Sequence, residues 1–159
     1  MKYYIGKYWA MANSADAATR EKGSKKWLSS TKKYGPYFEI IKDKLPKKFI
    51  QEFNKNHWFH DFVFDDISII NAGWQKQNIQ LSISNDDNAY KILLAKVIGF
   101  AINVPTTKYR SSGNMSWGYS EFELLDDNTW VLRILCDIFC EMEFNFNKIS
   151  ITKITKLMP

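Results

Sequence analysis

Phe49-Ile50-Gln51-Glu52-Phe53-Asn54-Lys55-Asn56-His57-Trp58-Phe59-His60-Asp61-Phe62-Val63-Phe64 decides the fold class. Up to Phe53 the apolar residues lie three and four apart, the spacing of one buried helix face. Asn54-Lys55-Asn56 stops that helix. Past His57 the period falls to two. Val63, Ile67 and Ile69 take one strand parity, Phe62 and Phe64 the other. The switch predicts an α+β chain with N-terminal helices packed on one antiparallel sheet.

Upstream, residues 1–11 carry Tyr3, Tyr4, Ile5, Tyr8, Trp9 and Met11 and read as a short strand or a tail laid on the core. Asn13 or Ser14 is a candidate N-cap, with Asp16 placed to meet the helix dipole. A helix is expected over 15–34, with a thin apolar stripe that includes Gly23, Trp27 and Leu28. Gly35-Pro36 should interrupt it. Pro46 suits the first turn of the helix that contains Phe49 and Phe53.

Downstream, Asp65-Asp66 marks a bulge. Ile79, Leu81 and Ile83 alternate with polar residues, as do Tyr90, Ile92 and Leu94. Asn85-Asp86-Asp87-Asn88 and Asp126-Asp127-Asn128 are turns by composition, and Gly99 is a bulge candidate. Residues 105–118 form the longest loop-like segment. Trp130, Leu132 and Ile134, then Met142, Phe144 and Phe146, complete a meander of six or seven strands. The whole chain, 1–159, is expected to form one domain, mainly helical over 1–56 and mainly sheet over 57–159.

Composition narrows the classes. Apolar residues make up 45% and aromatics 16%, enough for a core without metal or disulfides. No run is long and apolar enough for a secretory signal or a membrane span, so a cytoplasmic protein with Cys136 and Cys140 as free thiols is expected. Residues 1–56 hold 13 Lys/Arg against 5 Asp/Glu, a balance of +8; the remaining 9 against 12 give −3. Such polarity bears on partners.

No phosphate-binding, dinucleotide-binding or nucleophile-elbow motif occurs, and no cofactor is implied. His57, Trp58, His60 and Asp61 form the densest cluster of reactive side chains. Together with Cys136 and Cys140 the histidines could in principle hold zinc, but neither pair has the tight spacing of structural sites. A metal-dependent hydrolase built on His57 and His60 is therefore the weaker alternative. Cys136 and Cys140 share strand parity if their strand is unbroken. Asp137, Glu141 and Glu143 around them should raise a thiol pKa and disfavour thiolate chemistry. Glu121 and Glu123 share an outward parity beside Phe122. Lys25, Lys26, Lys32 and Lys33, interleaved with Trp27 and Tyr34, could grip phosphates. That makes a nucleic-acid-associated accessory role the second alternative. Tyr109, Arg110 and Trp117 complete the candidate binding residues, in and beside the long loop.

Tyr8-Trp9-Ala10-Met11-Ala12-Asn13-Ser14, Lys44-Leu45-Pro46-Lys47-Lys48-Phe49 and Phe59-His60-Asp61 resemble segments of a group of small bacterial proteins of unknown function. In that group a helical lead steps through Phe/Leu-His-Asp into a sheet. Some similar compact sheet proteins look like immunity proteins, which bind and neutralise a toxin domain. The resemblance implies a non-enzymatic protein-binding domain and brings no catalytic residues with it.

Overall fold

Asp16 starts the longest helix by accepting a hydrogen bond from the Thr19 N–H at 2.7 Å, so the cap sits two residues beyond Ser14. In the computed structural model, which describes residues 1–70, 77–104, 115–136 and 140–155, four helices precede eight strands. The helices are α1 (Gly6–Ala12), α2 (Ala17–Thr31), α3 (Tyr34–Ile41) and α4 (Lys47–Lys55). The strands are β1 (Phe62–Ile70), β2 (Gln77–Ser84), β3 (Ala89–Val97), β4 (Gly99–Asn103), β5 (Ser116–Leu124), β6 (Trp130–Cys136), β7 (Glu141–Phe146) and β8 (Lys148–Ile154). The chain is thus α+β. Among the described residues no helix is long and apolar enough to cross a membrane.

Two local expectations fail for identifiable reasons. The N-terminal segment contains the helix α1, not a strand. Gly6 and Trp9, three apart, turn to one helix face, and a Cβ on Gly6 would come within 2.9 Å of the Glu141 carboxylate. Gly35-Pro36 does not break a helix either. It lies in the first turn of α3, where a proline sacrifices no intrahelical hydrogen bond. Gly23 permits the tightest crossing, because a Cβ there would sit 2.4 Å from the backbone of Met11 and Ala12.

The strands pair antiparallel in the order β4-β7-β6-β5-β1-β2-β3-β8. The sheet therefore has eight strands, not six or seven, and is not one meander. β1-β2-β3 and β5-β6-β7 are two meanders joined through β1 and β5, with β4 outside β7 and β8 outside β3. Exchanging β1–β4 for β5–β8 reverses the order, so the two halves are related as by a two-fold axis. Two bends cause the departure. Lys96 has φ +55°, and the ladder continues past it through Ile98 N–H to Asn145 O at 2.8 Å and Asn147 N–H to Ala95 O at 3.2 Å. Each apparent long strand is thereby cut in two. The expected bulge near Asp65-Asp66 is present, as a register shift between Phe64 and Asp66. Both acidic turns form: Asn85 Oδ1 accepts from Asp87 and Asn88 N–H, and Asp126 Oδ1 accepts from Asn128 and Thr129 N–H.

β1 and β5 share only the pairs Phe62↔Trp117 and Val63↔Ser116. Beyond them β5 departs, and α3 replaces the missing strand. The Tyr34 hydroxyl accepts from Phe122 N–H at 2.6 Å and the Tyr37 hydroxyl from Leu124 N–H at 3.1 Å. Phe122 packs on the rings of Phe38, Phe49 and Phe53, so α3 and α4 cover that face of β5.

The opposite face is also covered. Glu121, 1% exposed, accepts the backbone N–H groups of Lys2, Tyr3 and Tyr4 at 2.8, 2.6 and 2.5 Å. Its outward parity holds, but the N-terminal segment buries it. Glu123 beside it meets Lys2 Nζ and Arg133, each at 2.7 Å. Burial opposes ionisation of Glu123, yet these hydrogen bonds outweigh it and hold the carboxyl below the usual range.

Glu121→Ala should cost about 2–4 kcal/mol, because it leaves one buried and two partly buried donors unpaired, whereas Glu121→Gln, which keeps one acceptor oxygen, should cost less; urea denaturation distinguishes the two. Gly23→Ala should destabilise by about 1–3 kcal/mol in the same assay through backbone overpacking. The folded pKa of Glu123 is depressed, so its contribution is present above the unfolded carboxylate pKa and lost as pH falls through the folded one; Glu123→Gln should flatten the acid limb of a stability–pH curve.

Candidate functional site

The junction between α4 and β1 is built from a backbone that L-residues avoid. His57, Trp58 and Phe59 have φ of +50°, +61° and +59°, and Asp61 has +68°. No glycine relieves this single left-handed turn. Each such residue costs on the order of 1–2 kcal/mol. Phe59 N–H donates to Asn56 O at 2.9 Å, His60 N–H to His57 O at 3.1 Å and Asp61 N–H to Trp117 O at 2.8 Å.

Burial of Phe59 holds the turn in place. Its ring, 0% exposed, lies 5.2–6.4 Å from those of Phe49, Phe53, Phe62, Tyr90 and Trp117. Aromatic pairs of this kind contribute about 0.5–1.5 kcal/mol each beyond their buried area. A polar clamp sits alongside. Asn56 Nδ2 donates to Glu52 O at 2.7 Å and to the Tyr90 hydroxyl at 3.0 Å, and that hydroxyl donates to Glu52 Oε2 at 2.7 Å.

Driving Phe59 inward sends its neighbours out. Trp58 stacks one face on Phe53, with centroids 6.0 Å apart and planes at 6°, and leaves 38% of its surface exposed. His57, His60 and Asp61 are exposed as well. His60 Nδ1 pairs with Asp61 Oδ2 at 2.9 Å, and the imidazole stands edge-on to Tyr119 at 5.2 Å. Beneath them lies a cavity of about 140 Å³ lined by Trp9, His60, Asp61, Tyr119, Leu135 and Cys136, among others. Substrate pockets usually span roughly 300–1,000 Å³.

The candidate residues separate into groups. His57, Trp58, His60 and Asp61 share the turn. Trp117 lies in the core at 0% exposure, stacked on Phe64 at 5.6 Å, where no surface partner reaches it. Tyr109 and Arg110 fall outside the described residues. Lys25, Lys26 and Lys33 line a groove of about 370 Å³ between α1 and α2, and exposed Lys32 is not part of its lining. Lys25 is paired with Glu21 at 2.6 Å and Lys26 lies 5.4 Å from the centre of the Tyr8 ring, so part of the positive charge is already answered locally.

The histidine and cysteine regions do converge: His60 and Cys136 border the same cavity. Among the described residues, however, no three His, Cys, Asp or Glu side chains are placed to hold a metal ion. Cys136 and Cys140 do not share a strand. Cys136 ends β6, Cys140 precedes β7, and they face each other. A hydrogen bond from Cys136 lowers the Cys140 pKa against both burial and the Glu141 charge, the reverse of the shift expected from the flanking acids. The sequence reading missed Trp9 and Tyr119 as cavity walls. The three-residue spacing of Gly6 and Trp9 was the available signal for the first.

No family model and no curated protein matches the chain. Among solved structures it is similar to an uncharacterised protein from Neisseria gonorrhoeae, with 12% sequence identity and a TM-score of 0.45, over 60% of this chain and 94% of that one.

Because His57 is exposed and makes its turn at φ +50°, His57→Gly should stabilise the protein by about 0.5–1 kcal/mol. Phe59→Ala should destabilise it by about 3–5 kcal/mol, and thermal and urea unfolding read both effects.

Proposed function

We propose that the protein is a non-enzymatic protein-binding module whose contact surface is the turn over residues 57–61. The observation that carries this reading is the run of positive φ at His57, Trp58, Phe59 and Asp61. Strain of this kind is kept when the surroundings over-determine it, and it gathers at functional positions. Here it presents a half-exposed indole, two imidazoles and a carboxylate on one rigid, aromatic-backed support. Tryptophan held rigid at a surface is the side chain most enriched among interface hot spots. The small adjoining cavity favours recognition over turnover of a metabolite. The partner that fits is a protein with an apolar slot for the indole and polar groups at its rim.

The finer form of the reading is an immunity-type role, in which the partner is a toxin domain encoded by an adjacent gene and binding blocks its activity. The test is titration of that gene product by calorimetry, with a parallel toxin-activity assay. Wild type should bind and inhibit. Trp58→Ala should weaken binding by roughly 30- to 1,000-fold, the range of a hot-spot loss of about 2–4 kcal/mol, while far-ultraviolet circular dichroism stays unchanged. His57→Glu serves as a second, exposed-site variant. Equal affinity in both variants would remove the turn from the contact surface.

A further inference from the structure

We propose that β4 is the seam of a symmetric homodimer, in which a second copy of the chain lays its own β4 antiparallel against the first and joins the two sheets. The proposal does not draw on the turn at 57–61, and three observations support it.

The first is an apolar face left open. Phe100 opposes Phe144 and Ile102 opposes Met142, and opposed residues project on the same side of a sheet. One strand further in, Phe144 opposes Leu132 and Met142 opposes Ile134. These four inner side chains are at most 1% exposed. Phe100 and Ile102 continue the same two rows, yet they are 43% and 40% exposed, and Ile98 and Val104 on either side are 68% and 45% exposed. The rows of the core thus run out to the sheet edge and end uncovered.

The second is an unguarded edge. β4 has β7 on one side and, among the described residues, no strand on the other. Its backbone N–H and C=O groups on that side are open to a further strand, and proteins that keep an edge solitary place charges along it. β8, at the far end of the sheet, does so with exposed Lys148 and Lys153. Ile98-Gly99-Phe100-Ala101-Ile102-Asn103-Val104 contains no charged residue and no proline.

The third is self-complementarity. With Ala101 facing the partner's Ala101, two-fold symmetry sets Phe100 opposite the partner's Ile102 and Ile98 opposite the partner's Val104, each pairing occurring twice. Every apolar side chain of the strip then meets another. On the other face Gly99 meets the partner's Asn103, so no charges oppose each other across the seam. The row from Leu132 through Phe144 to Phe100 continues into the second sheet. A seam of seven residues per copy falls at the small end of interfaces, below roughly 1,200 Å² in total, which suits a reversible dimer.

The experiment is sedimentation velocity of the full chain from micromolar to millimolar concentration. The 18.7 kDa chain should pass reversibly to twice that mass and no further. Ile102→Lys should raise the dimer dissociation constant by roughly 100-fold or more, because symmetry places the buried charge in the seam twice, while circular dichroism stays unchanged. Ile98→Lys, at the most exposed of the four positions, repeats the measurement in case Ile102→Lys disturbs folding. Ala101→Cys reads the register. Directly opposed Cα atoms lie about 4.5–5.5 Å apart, within disulfide reach, so mild oxidation should link the two copies through position 101, as peptide mapping reads. A chain that stays monomeric at every concentration leaves the edge to another protein's strand and overturns the proposal. So does a dimer that both lysine variants leave intact, or one that Ala101→Cys fails to cross-link.

Discussion

The burial of Phe59 is the constraint on which the junction between helices and sheet depends. Its ring ties α4, through Phe49 and Phe53, to β1 through Phe62, to β3 through Tyr90 and to β5 through Trp117. To place that ring the backbone adopts a left-handed turn at residues with no glycine among them. The cost, a few kcal/mol over the turn, is of the same order as the aromatic packing it makes possible. The exposure of Trp58, His57 and His60 follows from the same geometry. One inward side chain fixes the outward direction of its neighbours.

The second organising feature is that β5 is covered on both faces. β5 carries Phe122 toward α3 and α4, and Glu121 and Glu123 toward the N-terminal segment. The charge difference between the basic first third and the mildly acidic remainder is only partly used across this boundary. Lys2 meets Glu123, but the buried Glu121 is neutralised by backbone N–H groups and not by a lysine. A carboxylate that accepts several amide donors needs no cation beside it. The lysines of α2 consequently project from the fold, with Lys25 answered within its own helix by Glu21.

Much of the local structure is legible in the residues themselves. The face of α4 follows from Phe49 and Phe53, the bulge from Asp65-Asp66, and both turns from asparagine and aspartate oxygens that cap nearby N–H groups. These features act over two to four residues, so their cause lies within the same short window. The candidate turn was visible as a cluster of reactive side chains, but its handedness was not, because tryptophan and phenylalanine, which occupy its centre, carry no preference for positive φ. α1 escaped detection because dense aromatics satisfy strand and helix patterns alike, and only its contact with β6 and β7 selects between them.

By itself, then, the sequence determined that a helical lead gives way to alternating strands at His57, and where the two acidic turns fall. Tertiary structure decided the partners: that β1 meets β5, that β4 and β8 leave their parent strands for opposite ends of the sheet, that Glu121 is buried, and that Cys136 faces Cys140. Periodicity is set by backbone geometry and is local. Pairing is set by which apolar faces and unpaired backbone groups can be buried together, and that depends on residues far apart in the chain. The turn at 57–61 stands where the two meet: its position is written locally, and its strained shape is imposed by the core around Phe59.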